Sequence, residues 1–263
     1  MELYNEDCAT GLEKLKDESI DLVVTSPPYD NLRTYKGFSF DFERIANELY
    51  RVLKTGGVIV WIVSDGTENG SETGTSFRQA LYFKQIGFNL HDTMIWKKET
   101  CVFPETTRYY PNFEYMFIFS KGKPKSIHLI EDRKNIYSGY YVHGTLRQKD
   151  GSLTKPSGLK KGRNVKEYGV RFNVWEFSSE KNNKTGHPAV FPSKLVHDHI
   201  ITWSNKGDTV LDPFSGSGTT AIEALNLGRE FIGFEISEEY YKKSLDRIKS
   251  ETAQMTIYDY MKG

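Results

Sequence analysis

Several things are scarce in this sequence. Only two cysteines, Cys8 and Cys101, occur in 263 residues, with no CxxC spacing and no histidine partner beside them. That speaks against a disulfide framework and a zinc centre, so no metal is expected, and it fits a reducing compartment such as the cytoplasm. No apolar run reaches the roughly 18 residues that a membrane span needs. The opening residues Met1-Glu2-Leu3-Tyr4-Asn5-Glu6-Asp7 are acidic and lack the apolar core of a secretory signal, so no membrane association is expected. Net charge is also lacking: 35 Lys and Arg balance 35 Asp and Glu.

The balance is uneven along the chain. Residues 121–171 hold 13 Lys and Arg against four Asp and Glu, a local net of +9, which leaves the remainder at −9. A basic segment on an acidic body is the electrostatic outline of a protein that meets a polyanion locally. The apolar share of 38% suffices for a core at this length, and the aromatic share of 14% is high enough to supply stacking surfaces for a planar ligand.

The pattern of elements is α/β. Residues 1–5 read as a short edge strand, 8–16 as a helix and 20–24 as a buried strand. A helix is expected over 40–54, ended by Gly56-Gly57 as a left-handed cap, followed by a central strand over 58–63. Residues 66–74 read as a polar, glycine-rich loop at the carboxyl end of that strand. A helix over 75–86 and strands over 91–96 and 112–120 follow. From 121 to 184 the texture turns to Lys, Gly, Ser, Asn and Tyr with only short β-like pieces, such as 137–142 and 171–177. The α/β pattern then resumes: Ser193 as the cap of a helix to 203, a strand over 209–212, a helix over 221–227, a strand over 231–235, and Ser237 as the cap of a helix over 238–250. The expected organisation is a catalytic half at 1–120, an inserted basic region at 121–186 and a cofactor-binding half at 187–263.

Two stretches carry chemistry. The first is Thr25-Ser26-Pro27-Pro28-Tyr29-Asp30, where a strand of β-formers stops at two prolines. Neither proline has a backbone N–H, and each holds the residue before it extended. The stiff turn displays the Ser26 hydroxyl, backbone carbonyls and the Tyr29 ring, a set that suits a flat heterocycle bearing an exocyclic amine. The blander reading is a Pro-Pro turn that merely ends a strand. The second stretch is Asp212-Pro213-Phe214-Ser215-Gly216-Ser217-Gly218-Thr219-Thr220 between a strand and a helix, with a further strand ending in Glu235. Small residues let a ligand approach the backbone, and an acid at the next strand end suits a ribose diol. The third glycine of the dinucleotide fingerprint is missing, and no Gly-Lys-Ser/Thr follows as in a phosphate-binding loop. A ligand with adenosine but no pyrophosphate fits better, and S-adenosylmethionine is such a ligand.

Together with His187-Pro188-Ala189-Val190-Phe191-Pro192, these stretches make the chain resemble the β class of amino-group DNA methyltransferases. The resemblance covers residues 1–120 and 187–250. It implies a circularly permuted, Rossmann-like methyltransferase fold with an inserted target-recognition lobe, in which the catalytic motif precedes the cofactor motif. That order sets the chain apart from the release-factor glutamine methyltransferases. By position, the resemblance places Ser26, Pro27, Pro28 and Tyr29 at the catalytic centre. It places S-adenosylmethionine against Asp7, Cys8, Phe191, Pro192, Ser193, Asp212, Pro213, Phe214, Ser215, Gly216, Ser217, Gly218, Thr219 and Glu235. The basic region becomes the element that reads double-stranded DNA, with Lys155, Lys160, Lys161 and Arg163 on phosphates and Arg147 on base edges. Relatives with Ser-Pro-Pro-Tyr are mostly cytosine-N4 enzymes and those with Asp-Pro-Pro-Tyr mostly adenine-N6 enzymes, so Ser26 leans to cytosine. Adenine-N6 transfer and an inactive nucleic-acid binder remain as alternatives. The resemblance also implies a nucleoid-associated protein in the cytoplasm, a separate restriction endonuclease as a natural partner, and compatibility with a homodimer.

Overall fold

A computed structural model describes residues 1–28, 40–99, 106–141, 145–154, 164–178 and 192–262, with backbone alone at 146 and 253–262. Tyr29, Lys155, Lys160, Lys161, Arg163 and Phe191 therefore lie outside the described residues.

In chain order the elements are β1 (Glu2–Tyr4), α1 (Cys8–Glu13), β2 (Ile20–Thr25), α2 (Phe42–Val52), β3 (Leu53–Val63), β4 (Thr67–Glu68), β5 (Ser71–Glu72), α3 (Thr75–Gln85), β6 (Asn89–Lys97) and β7 (Phe113–Ser120). They continue with β8 (Arg133–Lys134), β9 (Leu146–Arg147), β10 (Leu153–Thr154), β11 (Tyr168–Gly169), β12 (Val174–Glu176), α4 (Ser193–Trp203), β13 (Thr209–Asp212), α5 (Thr219–Asn226), β14 (Glu230–Phe234) and α6 (Glu238–Lys262). Contacts divide the chain into two compact units, one of residues 1–128 with 173–263 and one of Leu129–Phe172.

The larger unit holds an eight-stranded sheet in the order β1-β14-β13-β2-β3-β7-β6-β12. The strands from β1 to β3 pair parallel, while β7 runs antiparallel to both β3 and β6. Strands buried on both faces read as near-continuous apolar runs; β2 is buried at all six positions, with the one charged residue, Asp21, paired with Lys54 and Lys125. Alternate side chains then feed two cores. Leu22, Val24, Val58, Val60 and Ile62 pack with Leu195, Ile200 and Ile222 from α4 and α5. Val23, Ile59, Trp61 and Val63 pack with Leu12, Ile45, Leu49 and Phe83 from α1, α2 and α3. Helices on both faces leave the strand ends as the open edge where a ligand can sit. Strands β13 and β14 come late in the chain, yet β13 pairs with β2 and β14 with β1, so segments from both ends of the chain lie side by side in one sheet.

Three local expectations change. The pair Gly56-Gly57 does not cap α2, which ends at Val52 and passes straight into β3 through an extended Leu53. Ile20 pairs with Leu53 and Leu22 with Val58, so residues 54–57 form a bulge that holds both glycines. A Cβ on Gly57 would stand 2.8 Å from Leu53 Cγ and 2.9 Å from the Lys54 carbonyl, so close backbone approach requires glycine there. Ser193 is the first residue of α4 and not its cap; Pro192 occupies that position and offers no side-chain hydrogen bond. The 66–74 loop folds as a hairpin of β4 and β5 around Asn69-Gly70, both at positive φ, as a two-residue hairpin turn needs.

The smaller unit is loop-rich. Its pairs are β8 with β11 and β9 with β10, each two residues long, and the Arg133 guanidinium lies 4.5 Å over the Phe172 ring.

Candidate functional site

The parallel strands β14, β13, β2 and β3 end on one edge of the sheet, and both chemistry-bearing stretches begin there. Ser26, Pro27 and Pro28 leave β2 directly, with Pro27 buried and Ser26 and Pro28 partly exposed. On the neighbouring strand, Asp212 is 1% exposed and both its oxygens are occupied. Oδ1 accepts from Thr25 Oγ1 at 2.6 Å and from the Phe214 N–H at 3.0 Å, and Oδ2 accepts from Thr220 Oγ1 at 2.7 Å. Burial pushes the Asp212 acid up to about 6, against the lowering effect of these three donors.

After Asp212 the chain turns tightly into α5. Gly216 and Gly218 have positive φ, and Gly218 stands at the helix N-cap with no side-chain cap. A Cβ on Gly218 would meet Ile248 at 3.1 Å and Ser244 at 3.3 Å, so α6 closes over this turn. Within the turn, Ser215 Oγ is buried and without a hydrogen-bond partner among the described residues. An orphaned buried hydroxyl inside a glycine turn at a helix N-terminus is a donor left available for a polar ligand.

Glu235 follows β14 and faces the same turn. Its Oε2 accepts from the Gly216 N–H at 2.9 Å and its Oε1 from the Ser237 N–H at 2.8 Å. Burial raises its acid above the ordinary value, opposed by those two backbone donors. Asn5 donates to the Glu235 carbonyl at 2.8 Å, tying the residue after β1 to the same edge. Asp7 caps α1 by accepting from the Thr10 N–H at 3.1 Å. The Cys8 thiol is buried and pushed up to about 12, chiefly by burial and then by the charge of Asp7, so it is no nucleophile at neutral pH. Phe214 packs edge-on against Phe40 with ring centroids 5.6 Å apart. Pro192, buried, and Ser193 open α4, which packs against α5 and β2.

The structure thus brings together Ser26, Pro27, Pro28, Asp212 to Thr219 and Glu235. Arg147 lies exposed in the smaller unit, on β9. Two contributors escape a reading of the sequence. Arg247 on α6 donates from Nη1 to the Ser217 carbonyl, Ser217 Oγ and Thr219 Oγ1 at 3.1, 3.2 and 3.0 Å. In the sequence it is one position of the expected helix over 238–250, and in the structure its Nε also pairs with Glu251 at 2.8 Å. Thr25 stands in the sequence as the residue that opens the Ser26-Pro27-Pro28-Tyr29 stretch, and nothing in the linear pattern shows its bond to Asp212. Among the described residues no three His, Cys, Asp or Glu side chains cluster as metal ligands, and no helix is long and apolar enough to cross a membrane.

Comparison with known proteins bears on this site. A family described as DNA methylase, covering N6 and N4 methyltransferases, matches residues 20–246. The orphan methyltransferase M.BamHII of Bacillus amyloliquefaciens is 55% identical over 246 residues, covering 90% of this chain and 92% of the relative. Among solved structures, the PvuII DNA methyltransferase, described as cytosine-N4-specific, superposes with a TM-score of 0.67 at 21% identity, over 96% of this chain and 91% of that one. A putative DNA modification methylase of Thermus thermophilus in complex with S-adenosylmethionine gives a TM-score of 0.64 at 26% identity, over 95% and 93%.

Proposed function

The chain belongs to the DNA methylase family of N6 and N4 amino methyltransferases, and from that premise we propose that it methylates the exocyclic N4 amine of cytosine in double-stranded DNA, with S-adenosylmethionine as donor. The observation that carries this reading is the junction of Ser26-Pro27-Pro28 with the Asp212–Thr220 turn through the Thr25–Asp212 hydrogen bond of 2.6 Å. It sets amine acceptors beside a glycine turn whose buried Ser215 hydroxyl has no hydrogen-bond partner among the described residues.

When bound, S-adenosylmethionine supplies an electrophilic methyl group on a sulfonium centre. The turn at Pro213, Phe214, Ser215, Gly216, Ser217, Gly218 and Thr219 cradles it, and Ser215 Oγ gains the partner it lacks. Glu235, at the strand end, takes the ribose hydroxyls, and Asp7 and Cys8 border the adenine. Phe191, Pro192 and Ser193 close over the methionine part. An exocyclic amine on an aromatic ring is a poor nucleophile because its lone pair is delocalised. Ser26 Oγ and the Pro27 carbonyl accept its hydrogens, draw the nitrogen towards tetrahedral geometry and aim the lone pair, so catalysis is largely positioning. The base leaves the duplex to reach these acceptors, and Tyr29 stacks on it. Arg147, Lys155, Lys160, Lys161 and Arg163 hold the DNA.

Arg247 fixes the turn from α6 through three hydrogen bonds. Arg247→Ala is expected to weaken S-adenosylmethionine binding about tenfold, the scale of one charged hydrogen bond. Calorimetric titration of the purified protein measures it, and unchanged affinity would remove Arg247 from the site.

The substrate assignment is tested by expressing the chain in a methylation-deficient host and analysing its nucleosides by mass spectrometry. N4-methylcytosine is the expected product. N6-methyladenine would keep the fold and mechanism and move the substrate. Neither base, with cofactor binding intact, would reduce the chain to a binder or redirect it to RNA or protein.

A further inference from the structure

The two halves of the site come from opposite ends of the chain, and something must fix their separation. Backbone pairing between β2 and β13 fixes Leu22 opposite Val210 and Val23 opposite Leu211, and goes no further. Beyond that point the tie is made by side chains. Thr25 is 0% exposed and Asp212 1%, and their bond spans 187 positions of sequence. The same carboxylate holds the Phe214 N–H and the Thr220 hydroxyl. One buried group therefore ties three things: the residue before Ser26, the start of the glycine turn and the first turn of α5.

We propose that Thr25 and Asp212 are a positioning pair that sets the distance between the amine acceptors at Ser26-Pro27 and the methyl-donor turn. The proposal rests on the methyltransferase reading above. Neither side chain is open to a ligand: Thr25 is 0% and Asp212 1% exposed, whereas Glu235 is only partly buried. A purely architectural role would be served as well by two apolar side chains, since a buried carboxylate is costly unless fully bonded. What apolar packing lacks is direction. Hydroxyl-to-carboxylate bonds in a water-excluded setting are short and directional, and they hold two strand ends at one spacing.

The Thr25→Val variant keeps the shape and the strand preference and removes only the donor. Asp212 retains Phe214 N–H and Thr220, so the fold keeps its remaining ties. The expected result is a fall in kcat for methyl transfer of about 10- to 100-fold, the scale of a displacement of about 1 Å between reacting groups. S-adenosylmethionine affinity by calorimetry should change less than about threefold, because the turn itself is intact. Thr25→Ser, which restores the hydroxyl, should recover kcat to within about threefold of the parent. Thr25→Ala serves as a second donorless variant should the valine crowd the site and prevent folding. Parental kcat in both donorless variants overturns the proposal. So does failure of Thr25→Ser to rescue, and so does a loss of melting temperature and cofactor affinity that accounts for the whole loss of rate. The parent protein separates the two readings: no methyl transfer to DNA by the parent sinks the DNA-methylating reading itself, whereas an active parent with equally active Thr25→Val and Thr25→Ala sinks only the positioning pair.

Discussion

Ser26→Ala is expected to lower single-turnover methyl transfer by about 10²- to 10³-fold, the usual cost of removing one preorganised polar group that acts on the reacting centre. Ser26 follows β2 without an intervening residue and precedes a buried Pro27, so its place is fixed by the central strand and by two prolines that cannot relax into a helix. With the hydroxyl gone, the Pro27 carbonyl alone has to hold the amine, and the second hydrogen has no acceptor. S-adenosylmethionine affinity should stay within about twofold, since the variant leaves residues 212–220 and Glu235 untouched. Rapid-quench transfer to DNA, alongside calorimetry, separates the two quantities. A variant that transfers methyl at the parental rate would remove Ser26 from the chemistry.

Gly11→Ala is expected to destabilise the protein by about 3 kcal/mol, the upper part of the usual cost of overpacking a core. Gly11 lies on α1, where an added Cβ would stand 2.5 Å from Phe234 Cδ1 and 2.8 Å from Cζ, and closer still to Cε1. The Phe234 ring cannot swing aside cheaply, because it is 1% exposed and Tyr4 stacks on it with centroids 5.8 Å apart. In a domain of this size the loss corresponds to a melting temperature lower by about 6–12 °C. Phe234 adjoins Glu235, so S-adenosylmethionine affinity should fall as well. Thermal unfolding followed by circular dichroism checks the first effect and calorimetry the second. An unchanged melting temperature would mean that α1 and β14 are less tightly packed than their approach indicates.

Much of this arrangement is legible in the sequence because its strands are buried on both faces. Residues 58–63 are a continuous apolar run and residues 20–24 an apolar run broken only by Asp21, and strands lie where those runs lie. The Asp212–Thr220 stretch is equally legible, since its glycines and its flanking strand and helix follow from local chemistry. What escapes a linear reading depends on partners distant in sequence. Gly56-Gly57 has the form of a helix cap but serves a bulge, because the strand register with Ile20 and Leu22 decides its use. Asn69-Gly70 is a hairpin signal in its own right, hidden by the polar residues around it. Thr25 is marked only as the residue before Ser26 and Arg247 only as one position of the last helix, and neither role shows until the fold brings Asp212 and Ser217 to them.

The measurement that tests the site most directly is a crystal structure of the protein with S-adenosylmethionine bound. The expected result is a ligand held in the 212–220 turn, with its ribose hydroxyls on Glu235, a polar contact to Ser215 Oγ and its methyl group directed towards Ser26. A ligand bound away from that turn, or bound there with its methyl directed away from Ser26, would contradict the assignment of the two motifs to one catalytic centre.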